Sequence, residues 1–147
     1  MLRVILAVAA FARVAHAEPD VRDRFIVGAA VGYGTAAQAD ARAGWMVAPG
    51  IAVFGSVVFG SVVEDATDDY RLFALGARVW FVDRVFVDAR AGMARVTAAD
   101  ERNRLGVFAG AGVELLRERG LAFELHGEVA GGYRAVGFVG GLGVSFY

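Results

Sequence analysis

Hydrophobic and polar residues alternate along most of the chain after Arg24. A repeat of two residues is typical of β-strands with one apolar and one polar face. In segment 104–116, for example, every odd position from Leu105 to Leu115 is aliphatic or alanine. The even positions from Arg104 to Glu114 hold glycine, phenylalanine or a charged residue. No part of this region shows the 3.6-residue repeat of an amphipathic helix. The pattern therefore predicts an all-β fold.

The alternation predicts eight strands, at 24–34, 41–49, 51–62, 70–81, 85–96, 104–116, 121–131 and 134–147. Short turns are predicted at 49–50, 82–84 and 117–120, and longer links at 35–40, 63–69 and 97–103, with a short link near 131–133. Short turns at one end and longer loops at the other predict an antiparallel up-and-down barrel. Both termini would lie at the end with the short turns.

The composition of the two faces predicts which one points outward. One face is almost purely Val, Leu, Phe and Ala, whereas the other holds Gly, Ala and nearly all the strand charges. A soluble eight-stranded barrel keeps its apolar residues inside, which here would overfill the interior and expose a glycine surface. A barrel whose apolar face points outward to lipid fits this composition better. Strands of about 10 residues are long enough to cross an outer membrane. Aromatic girdles are expected from Phe25, Phe81, Phe123 and Phe146 near the short turns, and from Tyr33, Phe59 and Phe73 near the loops.

Composition narrows the function classes. Hydrophobic residues make up 57% of the 147 residues, and charged residues only 21%, which excludes a disordered chain. All 15 basic residues are arginine, against 16 acidic residues, so no basic face is available and nucleic acid is not expected as a partner. Without cysteine the chain has no disulfide, no thiolate nucleophile and no cysteine-ligated metal.

Residues 1–17 are expected to be a signal peptide that is cleaved on export. Arg3 supplies the positive start, Val4 to Ala12 form a short apolar run, and Ala15-His16-Ala17 is a small-residue cleavage site. The apolar run is well short of the roughly 20 residues of a transmembrane helix. The predicted organisation is a signal peptide at 1–17 and a barrel domain at 18–147.

Residues 18–147 resemble the small eight-stranded outer-membrane β-barrel proteins, of the type of the membrane domain of the outer-membrane protein A class. The last strand in that family carries an assembly signal, a glycine followed by spaced hydrophobic and aromatic residues. Gly141, Val144 and Phe146 match its spacing, and Tyr147 closes the chain one place later than the family's terminal aromatic. The resemblance implies location in the outer membrane of a Gram-negative bacterium. It also implies outer-membrane lipids, the barrel-assembly machinery and periplasmic chaperones as partners.

The inward faces carry a balanced set of charges and one histidine: Arg42, Arg78, Asp88, Arg90, Arg104, Glu114, Glu124, His126 and Glu128. A turn at 82–84 that places Phe81 opposite Val85 also places Arg78 opposite Asp88, within ion-pair reach. Buried charges are costly unless they are paired. We therefore expect a salt-bridge network in the lumen, formed by Arg78, Asp88, Arg90, Glu114, Glu124, His126 and Glu128.

No catalytic, metal or cofactor site is expected. Ser56, Ser61 and Ser145 do not match the depth of His126, and a single histidine beside glutamates is too few ligands for a metal. The acidic loop with Glu64, Asp65, Asp68 and Asp69 lacks the glycine and distal glutamate of a calcium loop. The predicted function is a non-enzymatic outer-membrane barrel that contributes to envelope structure or surface interaction through its loops. A narrow pore, a lipid A-modifying enzyme and a soluble barrel are the alternatives.

The cleavage site predicts the mass of the mature protein. Protein recovered from a Gram-negative envelope is expected to begin at Glu18, as measured by intact mass spectrometry, because a signal peptidase cuts after the small-residue motif that ends at Ala17. Recovery of the full-length chain from the cytosol would contradict both export and membrane location.

Overall fold

Eight β-strands form one closed antiparallel barrel in the computed structural model, which describes residues 25–62, 69–97, 102–131 and 137–147. The strands are β1 (Phe25–Gly34), β2 (Ala36–Ala48), β3 (Ile51–Val62), β4 (Asp69–Val82), β5 (Val85–Thr97), β6 (Arg102–Glu118), β7 (Leu121–Gly131) and β8 (Gly137–Phe146). Each strand pairs with the next, and β8 pairs with β1. The predicted class and topology are confirmed. Within the described ranges, no helix is long and apolar enough to cross a membrane.

The ladder between β1 and β8 closes the barrel. It runs from the pair Val27 and Phe146 to the pair Gly34 and Val139. Beyond its end, the Thr35 amide donates to the Phe138 carbonyl at 2.9 Å, and the Thr35 hydroxyl oxygen accepts from the Phe138 amide at 3.0 Å. Each of the eight described strands therefore has a partner on both sides, as hydrocarbon requires of backbone polar groups.

Three two-residue turns define one end of the barrel, which we name the turn end; the opposite end is the loop end. The turns are 49–50, 83–84 and 119–120. Gly50, Arg119 and Gly120 have positive φ angles of 71°, 49° and 83°, and glycine adopts this region at no steric cost. The short turns predicted at these three places are confirmed.

The outward face is mainly apolar on every strand. Examples, one from each strand in order, are Val31, Val47, Phe59, Leu75, Met93, Leu105, Leu125 and Leu142, all exposed. Leu75, for example, is 78% exposed. A soluble protein rarely exposes a continuous apolar surface of this extent. The predicted orientation of the two faces is confirmed. We call this surface the outer apolar belt.

Aromatic residues lie at both edges of the outer apolar belt. At the turn end, the rings of Phe25 and Trp45 pack edge to face at 6.0 Å. Tyr33 and Phe73 are exposed toward the loop end. Phe81 differs from the expectation, because a β-bulge between Trp80 and Val82 leaves it only half-exposed.

The predicted link at 35–40 was wrong, because β2 already begins at Ala36. Gln38 and Asp40 are buried, whereas Ala37 and Ala39 between them are exposed. The segment thus continues the alternation of the strand. Its polar residues have the composition of a loop, but they point into the barrel. Strand β6 is also longer than expected, running from Arg102 to Glu118.

Several predicted features lie outside the described residues. These are the signal peptide at 1–17, Glu64, Asp65 and Asp68 of the acidic loop, residues 98–101 and 132–133 of two links, and residues 134–136 at the predicted start of the last strand. Of the acidic group, Asp69 lies within the described part and begins β4.

The end of β8 provides a test of barrel closure. Deleting Phe146 and Tyr147 removes the last pair of the β1–β8 ladder and the hydrogen bond from the Tyr147 amide to the Gly120 carbonyl, 2.8 Å long. The truncated chain is expected to stay unfolded, because an open sheet edge is costly in lipid. On a gel it should show no mobility difference between unheated and boiled samples.

Tyr147→Phe is the matched control for this truncation. It keeps the backbone pairing and loses only the phenol oxygen, so the heat-dependent mobility shift should remain. A normal shift of the truncated chain would show that the last two residues are required neither for closure nor for assembly.

Candidate functional site

The interior of the barrel is organised in three layers. Apolar residues fill the turn end and form the turn-end cluster: Ile26, Ala52, Trp80 and Phe86, with Met46 and Tyr147 packed beside them. A second group forms the loop-end cluster: Ala36, Val58, Tyr70, Leu72, Ala74, Ala94, Val96, Phe108, Ala130 and Val139. Between the two lies a charged layer: Asp40, Arg42, Arg78, Asp88, Arg90, Glu124 and Glu128.

Arg78 is the most buried cation of the charged layer, with 1% of its surface exposed. Strand register places it directly opposite Asp88, to which it donates at 2.8 Å, and it also reaches across the barrel to Glu124 at 2.7 Å. Its guanidinium carbon lies 3.6 Å from the centre of the Phe86 ring. One guanidinium thus joins two carboxylates and rests on the turn-end cluster, an arrangement that its planar fork of donors allows.

Glu124 is shared by two arginines from different strands. It accepts from Arg78 on β4 and, at 2.5 Å, from Arg42 on β2. The Ser145 hydroxyl also donates to it, and Arg42 lies 3.3 Å from that hydroxyl. Glu124 is almost completely buried, so these donors replace the water that a carboxylate otherwise needs.

Arg90 holds the part of the charged layer nearer the loop end. It donates to Asp40 on β2 and, at 2.7 Å, to Glu128 on β7. Gln38 donates to Glu128, and the Tyr70 hydroxyl donates to Gln38 at 2.8 Å. These bonds join strands β2, β4, β5 and β7 across the lumen.

The Arg90 guanidinium also contacts the apolar filling above it. Its carbon lies 4.9 Å from the centre of the Phe108 ring, which belongs to the loop-end cluster. Each end of the charged layer is therefore covered by an aromatic ring that contacts an arginine.

Glu114 is a separate buried acid at the turn end. It accepts from the Trp80 indole and from the Tyr147 hydroxyl, each at 2.6 Å, and Arg117 lies 3.4 Å from it. Arg117 in turn donates to Asp83 in the turn between β4 and β5. These contacts link the chain end, β6 and a turn.

His126 lies beside the charged layer in a space made by glycine. Its Cα partners are Gly112 on β6 and Gly141 on β8. A Cβ atom on Gly141 would lie 3.1 Å from the imidazole Cε1, and it would also collide with the β1 backbone at Val31. Within the described part of the chain, Nδ1 of His126 is buried with no hydrogen-bond partner.

The structure brings Arg78, Asp88 and Glu124 together in one group, and Arg90 with Glu128 in another. Glu114 lies apart from both groups, on the turn-end side of the charged layer. Arg104 does not lie in the lumen as expected: it is exposed near the start of β6, at the mouth of the barrel.

The predicted lumen network did not include several residues that hydrogen-bond within it: Gln38, Asp40, Tyr70, Trp80, Ser145 and Tyr147. For Gln38 and Asp40 the signal was their two-residue spacing with Arg42, which continues the inward face of β2.

The residues proposed for assembly recognition have different surroundings. Phe146 is 55% exposed on the outer apolar belt, and Val144 is partly exposed on the same face. Gly141 faces the lumen, where it allows β1 to approach, and Tyr147 turns inward to Glu114.

Each carboxylate of the charged layer, and Glu114, accepts at least one hydrogen bond from an arginine or from a neutral donor. Ser145 is engaged with Glu124. Within the described ranges, no group of three or more His, Asp or Glu residues has an arrangement that could hold a metal ion.

Solved structures share this fold. Neisserial surface protein A (NspA) matches with a TM-score of 0.62 at 12% identity, over 84% of this chain and 97% of that chain. The N-terminal β-barrel domain of OprF from Pseudomonas aeruginosa matches with a TM-score of 0.62 at 16% identity, over 85% and 97%. A de novo designed transmembrane β-barrel matches with a TM-score of 0.55 at 18% identity, over 88% and 97%.

No protein-family model and no curated protein sequence matches the chain. The likeness to the solved structures therefore concerns the fold. Together with the closed topology and the outer apolar belt, it defines the fold as that of the small eight-stranded outer-membrane barrels.

Arg78 and Asp88 provide a test of the charged layer. Arg78→Ala removes the arginine partner of Asp88 and one of the two arginine partners of the buried Glu124, and we expect a loss of about 3–5 kcal/mol in the free energy of unfolding. Asp88→Ala should cost less, about 1.5 kcal/mol, because Arg78 keeps Glu124. The double variant should lose less than the sum of the two, as measured by urea unfolding of the barrel in lipid vesicles.

Arg84→Ala is the matched control, because this arginine is half-exposed in a turn. Its effect should stay within about 0.5 kcal/mol. A wild-type midpoint for Arg78→Ala would contradict a stabilising role of the ion pairs that Arg78 makes.

Proposed function

We propose that this protein is a non-enzymatic integral outer-membrane barrel whose lumen is closed to steady permeation. The observation that carries the proposal is the charged layer enclosed between two apolar clusters. In this role the barrel anchors the chain in the envelope and presents its loops for structural or surface contacts.

The position of the charged layer between two apolar clusters supports a lumen that is closed to ions, because the passage of an ion would be energetically costly. An ion that entered from either end would first cross an apolar cluster, where it loses its water. It would then have to displace a guanidinium that two carboxylates already hold. An eight-stranded barrel has an interior just wide enough for its own side chains.

The outer apolar belt supports location in a membrane. Exposed aliphatic and aromatic side chains on all eight strands are unfavourable in water and favourable in hydrocarbon. The aromatic residues near the edges suit the two interfaces of a bilayer. Export through the signal peptide at 1–17, periplasmic chaperones and the barrel-assembly machinery complete the proposal, since a barrel of this kind must reach the outer membrane before it folds.

A narrow pore is the second candidate, and unpaired polar atoms in the lumen favour it. Within the described residues, Asp40 Oδ1, Arg42 Nε, Ser56 Oγ and Arg90 Nε are buried with no hydrogen-bond partner. Water at these atoms would satisfy them. A continuous file of such water would give a conducting path through the charged layer.

Conductance separates the two candidates. Purified wild-type protein in a planar lipid bilayer is expected to show little steady current. Trp80→Ala combined with Phe86→Ala removes the two large rings of the turn-end cluster, and current should rise because water can then reach Arg78 from that end.

Leu75→Ala is the control for this experiment, since it removes a side chain of similar chemistry from the outward face and should leave the current at the wild-type level. Steady conductance of the wild type would contradict a closed lumen and would support the narrow pore instead.

A further inference from the structure

A groove crosses the outer apolar belt toward the turn end. Its volume is about 610 Å³, and its floor lies on β2 and β3 at Ala43 and Gly55, which are Cα partners. Phe25 and Trp45 bound the groove on one side, and Leu75 on β4 bounds it on the other. Its lining side chains are apolar apart from the indole N–H of Trp45. The groove is thus an apolar recess in the outer apolar belt.

Packing within the barrel does not require a glycine at Gly55. A Cβ atom built on it would lie 4.0 Å from the Ala43 carbonyl oxygen and would meet no closer atom of the described residues beyond its chain neighbours. The outward glycines Gly127 and Gly140 differ, because a Cβ on either would contact the Phe138 ring, at 3.5 and 3.9 Å. Glycine weakens a strand interior and often marks the place where a ligand approaches the backbone closely. Gly55 therefore leaves space that the chain itself does not fill.

The strands beneath the groove are held by packing on their inward side. Phe54 lies between Gly44 and Gly76 in one row across β2, β3 and β4. A Cβ on Gly44 would come within 2.6 Å of the Phe54 side chain, and one on Gly76 within 2.8 Å. The two glycines therefore let the Phe54 side chain fill the space under the floor. Since this packing sets the floor, the space above it exists before a ligand binds, as in most binding sites.

The surroundings of the groove select hydrocarbon as its occupant. The groove is continuous with the outer apolar belt, which contacts lipid in the proposed location, and no charged side chain lines it. Leu75 is 78% exposed and Trp45 is 51% exposed, so both walls stand above the floor. A second barrel presents a broad convex surface that these walls keep off the floor, whereas one flexible chain fits between them. An acyl chain of a membrane lipid matches this shape and this chemistry.

Trp45 supplies a polar group at the edge of the groove. Its ring packs edge to face on Phe25 at 6.0 Å, and within the described residues its indole N–H has no acceptor. A tryptophan near the edge of a membrane-spanning surface places its N–H at the level of the lipid headgroups. The ester carbonyl of a glycerophospholipid is an acceptor at this level that is joined directly to an acyl chain. One lipid molecule can therefore accept from Trp45 and lay a chain over Gly55.

We propose that the groove over Ala43 and Gly55 binds one glycerophospholipid, with an acyl chain on the floor between Trp45 and Leu75 and an ester carbonyl that accepts from the Trp45 indole. This inference rests on the proposed membrane location. It distinguishes the face on β2 to β4 from the rest of the outer apolar belt, where lipid contact is not specific.

The test uses the folded barrel in dodecyl maltoside, with phosphatidylcholine brominated on its acyl chains as the probe. Bromine quenches the fluorescence of a tryptophan that it contacts, and the chain has two tryptophans, Trp45 at the groove and Trp80 buried in the lumen. Fluorescence is expected to fall and to saturate at about one lipid per barrel, since concave apolar sites are few per protein. Trp45→Phe should remove most of the quenching, because it removes the tryptophan that lies against the lipid.

Two variants that fill the groove and one matched control locate the site. Gly55→Leu and Ala43→Leu each place a side chain where the acyl chain lies, and each should weaken binding about tenfold, the equivalent of about two buried methylene groups. The Gly55 variant is expected to fold, because its new side chain enters open space. Ala109→Leu adds the same side chain to the outward face of β6, away from the groove, and should leave binding unchanged.

Quenching that rises with lipid and never saturates, or equal affinity of the wild type and both filled variants, would overturn the proposal. So would a wild-type dimer in light scattering that Gly55→Leu converts to a monomer, because a second copy would then occupy the groove. The heat-dependent gel shift of each sample distinguishes the failures. A barrel that never folds in detergent or lipid contradicts the proposed membrane function, whereas a folded barrel without the saturable site contradicts only this inference.

Discussion

The interior of an eight-stranded barrel has little room for water, so each charge inside it must be neutralised by other side chains. Three arginines meet this constraint by bridging carboxylates on different strands: Arg42, Arg78 and Arg90. Apart from Arg78 and Asp88, which face each other on neighbouring strands, the paired residues lie on strands that are not adjacent, so these ion pairs form only when the barrel is closed and in register. The charged layer and the backbone ladder thus depend on each other.

The two apolar clusters follow from the same constraint. A buried ion pair is strongest where water is excluded, and the rings of Phe86 and Phe108 exclude it while contacting the guanidinium groups of Arg78 and Arg90. On the exterior, the side chains of the outer apolar belt suit contact with lipid instead of water. The lumen is therefore polar in its middle and filled by apolar residues toward each end, and the exterior is mainly apolar, whereas a soluble barrel has an apolar interior and a polar exterior.

Particular residues show which features of the fold the sequence predicted correctly and which it did not. The two-residue alternation predicted eight strands and the apolar exterior, because a strand places neighbouring side chains on opposite faces. It went wrong at 35–40, where Gln38 and Asp40 have the composition of a loop and the positions of a strand. It also placed Arg104 inside by parity alone, although parity says nothing of how near a residue lies to the mouth of the barrel.

The sequence by itself determined the strand count, the short turns and the direction of each face, since these depend on neighbours in the chain. The turn at 82–84 also predicted the pair Arg78 and Asp88 on neighbouring strands, but only the tertiary structure decided the partners on strands that are not adjacent. Arg90 and Asp40 are 50 residues apart, and Arg42 and Glu124 are 82 apart. Closure and strand tilt bring such residues to one depth, and neither is encoded in any local pattern.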